Sequence, residues 1–274
     1  MRIHVDVGCF HHRRGCGILS LDHRDSCNEG IAWAEYTRKQ ESIHNKEHGV
    51  ERDQTLTARR WGNADSSTAV VLLHGFGADY DDLVPLGRHI DPEGRWDWHF
   101  PRAPVDMRVG GVPYGRAWFP DQESDLMQAL TGHYFQELES IDPDGLRSSG
   151  AQIADYCRAE ISPTAQLVLG GFSQGAMVSV EACLQLDRPI RGVLLCSGAV
   201  IAAERTERQL ANREPLHFVQ AHGTEDAVLE YRAGVRLFDL LKGAGWNGRL
   251  ITFTGGHTIP SEALVALEEM METC

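Results

Sequence analysis

Short apolar runs alternate with longer amphipathic ones along most of this chain. Ala69-Val70-Val71-Leu72-Leu73 and Gln166-Leu167-Val168-Leu169-Gly170 read as buried strands, because apolar residues fill them without alternation. Ile190 to Cys196, Leu216 to Gln220, Leu250 to Phe253 and the shorter Trp98-His99-Phe100 are further strand candidates. Thr55 to Trp61 predicts an edge strand, and Gly62 to Ser67 is turn chemistry. Helical spacing predicts helices near 79–90, 123–139, 144–161, 174–186, 228–242 and 261–273. In the last of these, Leu264, Val265, Leu267 and Met271 follow the N-cap candidate Ser261. Strands and helices that alternate over ~200 residues predict an α/β fold, a mostly parallel sheet covered on both faces.

The pattern is absent from residues 1–51. Six of the thirteen histidines and three cysteines lie there with few aliphatic residues, so a poorly ordered extension is expected before a folded domain of residues 52–274. Cys9, His11, His12, Cys16, His23 and Cys27 have the donor types of a zinc site but lack its paired spacings, so no metal is expected.

Charge narrows the partners. A formal net charge of −13 argues against nucleic acid and against stable association with anionic membranes. No apolar run reaches the ~18 residues of a membrane span, and no apolar stretch suited to a signal peptide follows His11-His12-Arg13-Arg14. Seven cysteines without framework spacing read as reduced thiols. A cytoplasmic enzyme is the expectation; the oligomeric state, monomer or homodimer, is not legible.

The candidate chemistry centres on Gly171-Phe172-Ser173-Gln174-Gly175, a G-x-S-x-G between a predicted strand and a predicted helix. That setting makes a nucleophile elbow, in which Ser173 stands on a sharp turn between residues without Cβ atoms. The pattern alone arises by chance in roughly one chain in ten of this length, so its partners decide the matter. A serine hydroxyl needs a base, and the base an orienting acid; in an elbow fold the chain order is serine, acid, histidine. Asp226 follows the strand ending at Gln220, and His257 follows the strand ending at Phe253, each on a loop at a strand's carboxyl end. Glu225 is the rival acid. His222 is a rival base in the wrong order, and His74 precedes the serine and reads as a loop brace. An oxyanion hole needs two backbone N–H donors. Gln174 supplies one, and Phe76 in the glycine-rich loop Leu73 to Asp79 is the candidate for the other. No organic cofactor is needed. Trp118 and Phe119 are candidates for the wall of an acyl pocket, or else for cover on a sheet edge.

Six segments occur in order: Leu72 to Gly77, Phe100 to Pro104, Arg116 to Phe119, Gly171 to Gly175, His222 to Asp226, and Gly256-His257. Together they resemble the carboxylesterase/phospholipase family of α/β-hydrolases, which includes acyl-protein thioesterases and small bacterial carboxylesterases. The resemblance covers about residues 66 to 272. It implies an α/β-hydrolase fold without a large cap domain and action on a small-molecule ester or thioester. It also implies the Phe76 and Gln174 oxyanion roles. Two departures stand out. Pro120 intervenes before Asp121 where the family often has an acid, and Ala227 follows Asp226 where the family often has proline. The first bears on the shape of the acyl pocket.

Overall fold

Strands that are apolar at every position must be covered on both sides, and the sheet of this protein is built that way. A computed structural model describes residues 56–109, 112–119 and 138–272. Seven strands form the main sheet: β1 (Ala58–Gly62), β2 (Thr68–Leu73), β3 (Asp97–Pro101), β6 (Gln166–Phe172), β7 (Ile190–Cys196), β8 (His217–Gly223) and β9 (Asn247–Phe253). Their spatial order is β1-β3-β2-β6-β7-β8-β9. β1 pairs antiparallel with β3 at one edge, and the remaining pairs are parallel. β4 (Val105–Val109) and β5 (Val112–Ala117) form a separate antiparallel pair.

Side chains divide between two cores with the period of two that a strand imposes. Ala69, Val71 and Leu73 of β2, Leu167 and Leu169 of β6, and Val193 and Leu195 of β7 point into one. Val70, Leu72, Val168, Leu194 and Cys196 point into the other. The first core is closed by helices α2 (Asp144–Glu160), α3 (Gln174–Gln185), α4 (Ala203–Leu210) and α5 (Tyr231–Gly243), through residues such as Ile153, Val178, Leu210 and Leu237. The second is closed by α1 (Val84–Ile90) and α6 (Ser261–Glu272), through Leu86, Ile90, Leu264 and Leu267. This is the expected α/β-hydrolase architecture, with no large cap among the described residues.

Three expectations shift. The helix expected over 79–90 is a short 3₁₀ turn, Tyr80–Asp82, followed by α1. Asp79 and Asp82 close a capping box on the turn, and Pro85 sits in the first turn of α1, where a missing N–H costs nothing. The helix expected from 228 begins at Tyr231, because the Val228 and Leu229 N–H groups are held by Asp226. The β4–β5 hairpin and α4 were not expected. The extension at 1–51, its cysteines and histidines, and most of the helix expected at 123–139 lie outside the described residues; residues 138–140 form a turn.

Candidate active site

Parallel strands deliver their following loops to one end of the sheet, and β6, β8 and β9 each bring a predicted residue there. Ser173 follows β6 directly, with φ 55° and ψ −119°, a conformation L residues rarely adopt. A Cβ on Gly171 would lie 2.9 Å from the Ala176 nitrogen, and one on Gly175 would lie 2.6 Å from the His74 carbonyl oxygen. Only residues without Cβ fit both places, so the elbow can be this tight. Ser173 is the N-cap of α3, yet its hydroxyl makes no cap bond. It lies 2.9 Å from His257 Nε2 instead.

His257 Nδ1 is 2.7 Å from Asp226 Oδ2. A carboxylate only accepts, so Nδ1 carries the proton and Nε2 is left as the acceptor facing the Ser173 hydroxyl. The other Asp226 oxygen, Oδ1, accepts from the Val228 and Leu229 backbone N–H groups at 2.9 Å each. Burial pushes the Asp226 carboxyl up, but the His257 hydrogen bond and charge and the two backbone donors outweigh it, and the group is held below its ordinary range. Phe172 lies against the His257 ring with centroids 4.7 Å apart. Ser197, at φ 47°, donates its hydroxyl to the Thr258 carbonyl at 3.2 Å and so ties β7 to the histidine loop.

The rivals separate cleanly. Glu225 is exposed. His222 is fully buried beneath Asp226. His74 is also fully buried, and burial lowers its pKa. Its Nε2 accepts from Ala103 N–H at 3.1 Å, so Nδ1 holds the proton and donates to the Gly75 carbonyl at 2.8 Å. It braces the glycine-rich loop.

That loop runs beside the nucleophile: a Cβ on Gly75 would sit 3.3 Å from Ser173 Cβ. Phe76 follows, packed partly into the core. The supports come from the other recurring segments. Arg102 grips Asp79 with two nitrogens, at 2.9 and 2.7 Å. β5 pairs with the loop through Gly77 N–H to the Arg116 carbonyl at 2.9 Å and Arg116 N–H to the Ala78 carbonyl at 3.0 Å. The Trp118 indole donates to the His74 carbonyl at 2.9 Å.

Trp118 and Phe119, read from sequence as either a pocket wall or cover on a sheet edge, lie in the interior. Both rings are fully buried in the first core. Trp118 N–H donates to Gln174 Oε1 at 2.9 Å, and Gln174 Nε2 donates to the Phe119 carbonyl. The segment thus latches onto the first residue of α3. Its apolar rings serve packing because its backbone must lie deep to reach Gln174. The β5 clamp, the Gln174 side chain and Ser197 were missed from sequence. A signal for the clamp existed: Gly110-Gly111 lies between the alternating runs 105–109 and 112–117, a hairpin pattern. Among the described residues, no group of three or more metal-ligating side chains is assembled.

Residues 61–274 match the phospholipase/carboxylesterase family. This chain belongs to that family. It is a carboxylic ester hydrolase by membership, and its substrate is a small-molecule ester or thioester. The acyl-protein thioesterase 1 homolog 1 of Dictyostelium discoideum is 34% identical over 203 residues, which span 72% of this chain and 86% of that protein. Acyl-protein thioesterase 1 of Neurospora crassa is 32% identical over 181 residues, 63% of this chain and 70% of that one. Among solved structures, esterase PE8 superposes with a TM-score of 0.62 at 27% identity, covering 79% of this chain and 97% of its own. The Bacillus cereus carboxylesterase shares the fold, with a TM-score of 0.56 at 18% identity over 80% of this chain and 95% of its own. No helix among the described residues is long and apolar enough to cross a membrane.

Proposed function

We propose that the protein cleaves carboxylic esters in two steps through an acyl-enzyme on Ser173. The observation that carries this reading is the continuous chain of contacts from Ser173 Oγ to His257 Nε2 at 2.9 Å and from His257 Nδ1 to Asp226 Oδ2 at 2.7 Å. His257 removes the Ser173 proton as the hydroxyl attacks the carbonyl carbon. The N–H groups of Phe76 and Gln174 receive the oxyanion. His257 then protonates the leaving group, and water repeats the sequence on the acyl-enzyme. Asp226 holds the imidazole in the tautomer that this requires and stabilises the imidazolium. Trp118 and Phe119 act by fixing Gln174 and the glycine-rich loop.

A thioester substrate is the second reading, favoured by the acyl-protein thioesterase names of the two sequence relatives. The chemistry at Ser173 is the same for both. Free, buried Cys157, Cys183 and Cys196 suit a reducing compartment, and we place the enzyme in the cytoplasm on that ground.

The test is a fluorophosphonate probe followed by a panel of p-nitrophenyl esters and acyl thioesters of graded chain length, with Ser173→Ala as the blank. Labelling confined to Ser173 and turnover lost in the blank are expected. Folded wild-type protein that neither labels nor turns over any substrate would overturn the proposal.

A further inference from the structure

We propose that His222 is a positioning residue for Asp226, fixing the acid's turn so that one carboxylate oxygen stays aimed at His257. The inference rests on the hydrolase reading above. His222 lies near the end of β8, four residues before Asp226, and is fully buried. Its Nε2 is 2.8 Å from the Leu229 carbonyl oxygen and 3.4 Å from Asp226 Oδ2. A carbonyl only accepts, so Nε2 carries the ring proton and His222 is the donor.

Leu229 is therefore held at both ends. Its carbonyl is gripped by His222, and its N–H donates to Asp226 Oδ1 at 2.9 Å. With Oδ1 fixed by this turn, Oδ2 is left to face His257 Nδ1 at 2.7 Å. The opposite side of the ring is closed by α5. A Cβ on Gly234 would overlap His222 Nδ1, and the Tyr231 ring stands edge-on at 6.2 Å. Among the described residues, Nδ1 has no hydrogen-bond partner.

A residue that merely filled this volume would be apolar, since a buried imidazole with an empty acceptor is unfavourable. The Nε2–H donor is what an apolar residue cannot supply. The ring must also stay neutral, because a second cation beside Asp226 would compete with the His257 imidazolium. Burial, the largest influence on this ring, lowers its pKa; the Leu229 carbonyl and the Asp226 charge act against it.

His222→Leu and His222→Gln separate donor from filler. A glutamine amide nitrogen can take the place of Nε2 and donate to Leu229; leucine cannot. On p-nitrophenyl acetate, His222→Leu should lower kcat by about 10- to 100-fold, the scale of outer-shell partners, with little change in KM. Fluorophosphonate labelling of Ser173 should slow by the same factor, and His222→Gln should recover most of the loss. If His222→Leu does not fold, His222→Asn replaces it. Its amide nitrogen falls near Nδ1, so Asn should be impaired where Gln is active. Wild-type kcat in His222→Leu, or equal activities in Gln and Asn or in Gln and Leu, would overturn the inference while wild-type turnover leaves the hydrolase reading standing. An inactive wild type would sink both.

Discussion

Ser173 is held at φ 55° by its surroundings, since a residue so far from ordinary backbone wells costs on the order of 1–3 kcal/mol. The two glycines make that possible, and Gly175 shows how little room there is. A methyl group there would meet the Leu73 and His74 carbonyls at the end of β2. Backbone atoms cannot swing aside as a flexible side chain would. Gly175→Ala is therefore expected to lower the melting temperature and kcat together, by about 2 kcal/mol or more in stability, as for other forced overlaps in a packed interior. The acid offers a sharper contrast. Asp226→Asn keeps the shape but lets Nδ1 become the acceptor, so the wrong tautomer faces Ser173. By the precedent of serine triads kcat should fall ~10⁴-fold. Glu225→Gln, one residue away and exposed, should retain near-normal turnover in the same assay. Equal losses in the two variants would return the acid role to dispute.

At the scale of elements, chain order and strand-end position singled out Ser173, Asp226 and His257, and the fold draws them within hydrogen-bonding distance. Those features were legible because an apolar run followed by a glycine turn is a local signal. Six of the seven sheet strands could be read from short apolar runs for the same reason, and β1 as an edge strand. What was not legible depends on contacts between distant segments. The β4–β5 hairpin has a signal in its alternating runs, but β5 grips the glycine-rich loop with backbone groups, and that grip leaves no mark in side-chain pattern. Helix α4 follows the N-cap Ala202, which has φ 49° and no capping side chain, and it buries only Thr206 and Leu210, so it shows neither a start signal nor a broad apolar face. Trp118 and Phe119 could be read as aromatic and loop-borne, but not as latched to Gln174 from 55 residues or more away. The clamp yields a test. Arg116 pairs its backbone with Gly77 and Ala78 and donates its guanidinium to the carbonyls of Ala103 and Pro104. Arg116→Ala keeps the backbone ladder but frees these carbonyls, which should cost about 1–3 kcal/mol in stability. A loosened glycine-rich loop, if it carries the proposed oxyanion donor Phe76, should also reduce kcat more than it raises KM, read from steady-state kinetics beside a melting curve. A variant that loses stability alone would show that Arg116 does not govern the loop.

The whole molecule is strongly acidic, and its response to pH sets two effects of opposite sign against each other. The family match begins at residue 61 and the sheet at Ala58, so removal of residues 1–51 is expected to leave Ser173 labelling and turnover intact. In the full chain, acidification relieves the mutual repulsion behind a net charge of −13, which would favour the folded state. The buried groups argue the other way. Burial holds His74 and His222 neutral below their ordinary range, so as pH falls through about 6.5 the unfolded chain takes up protons that the folded one refuses. Stability drains from there downward. A second loss follows below about pH 4. The carboxyls of Asp91, Asp97 and Asp226 are all held low: burial opposes this in each, but backbone donors around Asp91, His99 and Arg60 around Asp97, and His257 beside Asp226 prevail. Their contribution is complete above the unfolded carboxylate value near 3.9 and disappears as pH falls through the depressed folded values. Surface repulsion is screened over about 8 Å at 0.15 M salt, whereas buried groups are screened far less. At that salt the melting temperature should be level between about pH 7.5 and pH 8, below the range where the buried thiols of Cys157, Cys183 and Cys196 begin to count, then fall in two stages on acidification, and His222→Gln should shrink the first. A melting temperature that climbs between pH 7 and pH 5 would mean that the acidic surface outweighs the two buried histidines.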